Sequence, residues 1–161
     1  MKKCLVIVAA LLFLTGCAAQ DVFETVADVY GEESVKPKQI LLELPEEGAE
    51  SVITGSNGTL YLCENYDITV QTLSGGDLNE TFRALTGFPL DSLTVVQTLQ
   101  TGMERYECVW TSVGEGGDSV GRAVVLDDGR FHYCVTVMTA AENAGKLQES
   151  WQELLGSVGA G

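Results

Sequence analysis

The sequence predicts an α+β fold, an antiparallel β-sheet meander with packed helices forming an α/β sandwich, and three observations carry that expectation. Tyr66, Ile68 and Val70 alternate with Asp67, Thr69 and Gln71, the period of two that marks a half-buried strand. Four extended candidates then follow almost without a break, at residues 93–100, 103–113, 119–127 and 130–138, separated by Thr101-Gly102, a glycine-rich run at 114–118 and Asp128-Gly129. Finally, Ala144, Leu147, Trp151, Leu154 and Val158 recur at steps of three and four, with Leu155 widening the stripe, as on a helix that covers a sheet.

Taken in chain order, the first segment is a signal. Lys2 and Lys3 are followed by an apolar run over residues 5–14, too short to span a bilayer as a helix, and then by Leu14-Thr15-Gly16-Cys17. No Ala-x-Ala-like site precedes Cys17, and polar Gln20 and Asp21 follow it closely. The junction resembles the bacterial lipobox. That resemblance implies a lipoprotein signal peptide at residues 1–16 and a diacylglyceryl-modified Cys17 as the mature N-terminus. Two acyl chains, at about 0.8 kcal/mol per buried CH₂, anchor durably where one binds only marginally. The expected location is the extracytoplasmic face of a cell membrane.

Residues 17–38 then read as a lipidated N-terminus and tether. Val22, Phe23, Val26, Val29 and Tyr30 fall on one helical face there, ending near Gly31. Residues 39–158 form a single domain. Within it, residues 39–44 read as a strand stopped by Pro45, and residues 46–58 as a loop. Residues 59–64 and 66–73 are two extended stretches. Asp77 is an N-cap with Glu80 at the third helical position. The helix it opens turns Leu78, Phe82 and Leu85 inward and stops at Gly87 and Pro89. Asp128-Gly129 predicts a two-residue hairpin turn, which would set Asp127 opposite Arg130 and Cys134 opposite Ala123. Thr139-Ala-Ala-Glu142 reads as a capping box opening the last helix.

The stretches YLCENYDITV, GDLNETFRALTG, AVVLDDGRFHYCVTVM and LQESWQELLGSV, in that order, resemble the PsbP/Mog1 fold over about residues 39–158. Families with that fold include small lipoproteins and accessory proteins that mostly bind partners. The likeness lies in element order and transfers no functional residue.

Composition narrows the function further. Loss of residues 1–16 leaves 145 residues with seven basic and 23 acidic side chains, a mature charge of −16. Such a surface is repelled by phosphates, which excludes nucleic acid as a partner, while basic peptides and cations stay compatible. Of five cysteines, Cys4 leaves with the signal and Cys17 is acylated. Cys63, Cys108 and Cys134 remain, so at least one thiol is free in a monomer. The expected register puts Cys108 and Cys134 two strand spacings apart, about 9.6 Å, too far for a disulfide.

Several constellations invite chemistry. Gly117-Asp118-Ser119-Val120-Gly121 matches G-x-S-x-G, but a nucleophile elbow needs a helix after the serine, and here strand follows. An esterase would also need Ser119 within reach of His132, the only histidine, with Asp127 or Asp128 as third member. His132, Cys134, Cys108 and Cys63 lack the spacing of a zinc site, and Asp127-Asp128-Gly129 lacks the alternating ligands of a calcium loop. The carboxylate pairs Glu46/Glu47 and Glu32/Glu33 read as solvated loop. Neither catalytic residues, nor a metal, nor a cofactor is expected. The reading is a membrane-anchored binding or accessory module. Its alternative is a carrier holding a small apolar ligand between sheet and helix beside Tyr106, Trp110 and Trp151.

Overall fold

The computed structural model describes residues 35–45 and 50–161. The segment read as a signal, Cys17, nearly all of the expected tether including residues 22–30, and residues 46–49 lie outside the described residues. The chain divides into a unit of residues 1–36 and a second unit, residues 37–161, described below.

The described residues of that second unit form nine strands and three α-helices. They are β1 (Ile40–Leu41), β2 (Glu50–Thr54), β3 (Gly58–Leu62), β4 (Asp67–Ser74), α1 (Leu78–Thr86), β5 (Val95–Gln100), β6 (Met103–Ser112), β7 (Ser119–Asp127), β8 (Phe131–Ala140), α2 (Ala141–Ala144), α3 (Gln148–Gly156) and β9 (Gly159–Ala160). A 3₁₀ turn at Leu90–Ser92 links α1 to β5. Seven strands form one antiparallel sheet in the order β2-β3-β4-β8-β7-β6-β5. It consists of two meanders, β2 to β4 and β5 to β8, joined where β4 lies against β8. The α1 connection between them crosses one face.

Helices cover both faces. On one, Phe82 of α1 packs with Cys108, Trp110, Ala123, Val125 and Cys134. On the other, Trp151, Leu154 and Leu155 of α3 pack with Ile68, Val124, Leu126, Tyr133, Val135 and Val137. Central strands β7 and β8 therefore bury both parities, which explains their unbroken apolar runs. The expected fold class is the one observed.

Local chemistry sets the α1 boundaries. Asp77 accepts the Asn79 N–H at 2.9 Å, and Gly87 adopts φ +81° while its N–H bonds the Arg83 carbonyl.

Four expectations need correction. Residues 39–44 contribute only the two-residue β1, which pairs with β9 at the far end of the chain. The loop expected over 46–58 contains the edge strand β2, bulged between Ser51 and Ile53. The last helix is interrupted between α2 and α3, and no capping box forms at its start. Thr139 instead donates to the Asn65 carbonyl. The β7–β8 turn is centred one residue later than expected, on Gly129-Arg130, with Asp128 N–H bonding the Phe131 carbonyl. The Asp127 carboxylate accepts the Gly129 N–H at 2.7 Å, and Asp128 accepts those of Arg130 and Phe131 at 2.9 and 2.8 Å. These bonds shift the register by two, so His132 faces Asp127 and Cys134 faces Val125.

Candidate functional site

On the α1 face one row of side chains crosses five strands: Leu99, Glu104, Asp127, His132 and Leu73, each directly opposite the next. Thr81, in the first turn of α1, lies over this row with its hydroxyl 2.7 Å from His132 Nδ1. His132 Nε2 is 3.5 Å from the Asp127 carboxylate. If Thr81 donates to Nδ1, the ring proton sits on Nε2 and points at Asp127. A hydroxyl, an imidazole and a carboxylate in line are the parts of an acid–base relay. Here, however, Thr81 is 6% and His132 1% exposed, sealed beneath the helix. The arrangement clamps α1 to the β7–β8 hairpin.

Ser119 is elsewhere. It begins β7 and Asp127 ends it, so eight residues, about 26 Å of strand, separate Ser119 from the carboxylate facing His132. The Ser119 hydroxyl shares a hydrogen bond with Ser112 at 2.7 Å. Strand continues past it, without the helix an elbow requires. Gly121 has its own reason to be glycine. The Trp110 ring lies across it, and a Cβ there would overlap Cζ2 and Cε2 and sit 2.7 Å from Cη2.

All three described cysteines are free thiols. Cys108 and Cys134 lie on the α1 face with β7 between their strands, whereas Cys63 packs against the core on the α3 side. Burial pushes the Cys108 thiol up to about 11 and the Cys134 thiol up to about 12. Cys63 is raised too, by burial and the nearby Asp67 carboxylate, against a lowering hydrogen bond from Tyr66. Among the described residues, no three His, Cys, Asp or Glu side chains are grouped to hold a metal ion. Asp128 is acting as a turn acceptor. Burial alone would raise its pKa, but the Arg130 N–H, the Tyr133 hydroxyl at 2.8 Å and the Phe131 N–H hold it below the ordinary value.

The aromatic residues do not share a cavity. Tyr106 and Trp110 lie on the α1 face, Tyr106 edge-on to Phe82 at 6.4 Å, and Trp151 lies on the other face, edge-on to Tyr66 at 6.1 Å. The apolar carrier site expected beside all three is therefore not formed. What opens beside Trp110 is a shallow groove of about 330 Å³, lined by Phe88, Ser92, Leu93, Thr94, Val109, Trp110 and Thr111. It exists because β5 pairs with β6 only as far as Val95 opposite Cys108. Beyond that pair the two chains diverge, leaving the edge of β6 at residues 109–112 open. A second concavity of about 370 Å³ lies beside Cys63, Tyr66, Ser119 and Thr139. Sequence reasoning singled out Trp110 but missed this groove, because where β5 stops pairing with β6 is set by the fold and not marked in the sequence.

Among solved structures, the chain matches the Saccharomyces cerevisiae Ran-binding protein Mog1p with a TM-score of 0.50 and 13% identity, over 75% of this chain and 89% of that one. It matches cyanobacterial PsbP from Synechocystis sp. PCC 6803 with a TM-score of 0.51 and 9% identity, over 80% and 96%. The domain has the PsbP/Mog1 fold. A Bacteroides thetaiotaomicron crystal structure also matches at TM-score 0.52 and 12% identity. There the match covers 76% of this chain and only 45% of the other. At these identities the PsbP/Mog1 likeness is one of fold alone. No protein-family model and no curated protein matches the sequence. Among the described residues, no helix is long and apolar enough to cross a membrane.

Proposed function

We propose that this chain is a membrane-anchored extracytoplasmic lipoprotein whose PsbP/Mog1-like domain is a binding or accessory module. One observation carries the binding half of this reading. Both faces of the sheet are filled, by α1 and by α3, so the features left to recognise a partner are superficial, among them the Trp110 groove with the open sheet edge beside it and the concavity beside Cys63. An internal carrier would need a void where these two cores are packed. Mog1p, which shares the fold, is described as a Ran-binding protein. The anchor rests on the Leu14-Thr15-Gly16-Cys17 junction, and the mature charge of −16 disfavours nucleic acid as a partner.

Mass spectrometry of the native mature protein tests the anchor. The expected N-terminal peptide begins at Cys17 and carries a diacylglyceryl thioether, and Cys17→Ser should lose the modification and leave the membrane fraction. Mature protein beginning elsewhere, with Cys17 unmodified, would overturn it. Crosslinking in the native membrane tests the module, which predicts reproducible capture of one protein partner. A stoichiometric apolar small molecule extracted from purified protein would favour a carrier instead.

A further inference from the structure

We infer that the β5 edge, with the adjoining Trp110 groove, binds an extended basic segment of a partner protein by strand addition. This deepens the binding-module reading and rests on it.

The two edges of the sheet are built differently. Edge strand β2 carries Glu50 and a bulge between Ser51 and Ile53, features that discourage further pairing. Edge strand β5 makes six consecutive pairs with β6, has no bulge, and reads VVQTLQ, with no charge, proline or glycine. Among the described residues nothing pairs with its outer side. Leu99 is 72% and Val96 58% exposed, one on each face of the sheet.

The turn dictates which backbone groups point outward. Thr101 and Gly102 have φ of +49° and +82°, the signature of a two-residue turn whose closing pair, Gln100 and Met103, exchanges both hydrogen bonds. Bonded and non-bonded pairs alternate in an antiparallel ladder. The N–H and C=O groups of Val95, Gln97 and Leu99 therefore face away from β6. That is a three-residue docking rail, and it runs straight into the groove. A strand laid along it would deliver a side chain onto Trp110, Leu93 and Phe88.

Charge selects the occupant. Glu104 lies opposite Leu99 on one face and Glu107 opposite Val96 on the other, while exposed Asp91 sits beside the groove. The nearby cation Arg105 is buried and engaged by Glu107, Gln100 and the Leu155 carbonyl. Glu107 is already paired with Arg105 at 2.7 Å, so lysines or arginines on an incoming strand would find their carboxylates at Glu104 and Asp91. A second copy of this chain would bring the same carboxylates and the same net negative charge.

The probe is a nine-residue peptide alternating Lys, Val and Thr, set against its Glu-for-Lys counterpart and a version methylated at alternate amide nitrogens. Calorimetry and amide chemical-shift mapping are run on the mature domain. The basic peptide should bind with shifts confined to residues 93–100 and 109–111, and the other two should bind at least tenfold more weakly. Gln97→Pro removes an outward N–H together with the side-chain bond to Glu104 at 2.8 Å and should cost the same factor, whereas Gln97→Ala, which loses only the side-chain bond, should not. Equal binding of the methylated peptide to wild-type protein would overturn the inference, even if the proline variant misfolds. So would shifts mapping elsewhere, or a β5-mediated dimer in sedimentation. In native membranes, a partner crosslinked equally well by wild type and Gln97→Pro would sink the edge assignment and leave the module reading standing. Failure to crosslink any partner would sink the module reading as well.

Discussion

Gly121 and Trp110 show how a residue that looks catalytic can be fixed by packing. Gly117-Asp118-Ser119-Val120-Gly121 resembles a nucleophile elbow in letters, yet its last glycine is a platform for an indole. Gly121→Ala should therefore destabilise the domain by about 1–3 kcal/mol through overpacking. Ser119→Ala, which removes half of one half-buried hydroxyl pair, should cost no more than about 1 kcal/mol. Urea midpoints read both, and a Gly121→Ala variant as stable as wild type would show that the ring has another resting place. Other residue-scale features were equally split in legibility. Asp77 and Gly87 were readable because capping chemistry is local. The hairpin register was not, because Asp127 and Asp128 each had two plausible tasks, and only their bonds to the Gly129, Arg130 and Phe131 amides decide between them.

Elements were legible in proportion to how much of their stability is local. Strands β4 to β8 emerge close to their expected bounds, since alternation, apolar runs and turn glycines mark them. Strands β1, β2 and β9 do not, because β1 and β9 are two residues each and exist only by pairing with one another across the length of the domain. The closing helix has the right stripe, but Thr139 is committed to Asn65 and the helix breaks after Ala144. A residue no pattern picked out holds its end. The buried guanidinium of Arg105 donates to the Leu155 carbonyl at 2.8 Å and the Val158 carbonyl at 3.4 Å, satisfying acceptors that the end of α3 leaves open. Arg105→Met should cost about 1–3 kcal/mol, since the Leu155 carbonyl loses its shortest donor and Glu107 its charge partner, while Gln100 Nε2 still donates to the Val158 carbonyl at 2.9 Å. Hydrogen exchange should quicken first in α3. Unchanged exchange there would mean that the helix end is held by packing alone.

Across the whole molecule, the two helix-covered faces give the domain an alkaline limit. Cys108 on β6 and Cys134 on β8 are held neutral by burial, with pKa values pushed up from 9.0 to about 11 and about 12. A folded-state pKa above the unfolded one stabilises fully below pH 9 and progressively less as pH climbs through the folded value. Stability should fall between about pH 9 and pH 12, and Cys134→Ala should flatten that fall relative to wild type. Identical pH slopes in the two proteins would assign the loss to other groups, including Tyr66, Tyr106 and Tyr133, whose values burial also raises. The layered architecture was legible because two long apolar strands and two amphipathic segments demand it. The groove was not, because it arises from where one strand stops following another.

The β1–β9 ladder has a mechanical consequence. Gln39 and Gly161 exchange hydrogen bonds of 2.9 and 3.0 Å, and the Lys38 N–H bonds the Tyr133 hydroxyl. Tension arriving at residue 37 would load these few bonds one after another, as a zipper, reaching the seven-stranded sheet first through the Tyr133 side chain and not through a strand's ladder. Peeling residues 37–45 would pay out about 30 Å of chain and leave the β5 edge unstrained. The clasp is thus a short spring at the entry to the domain, able to lengthen under load while the seven-stranded sheet stays intact.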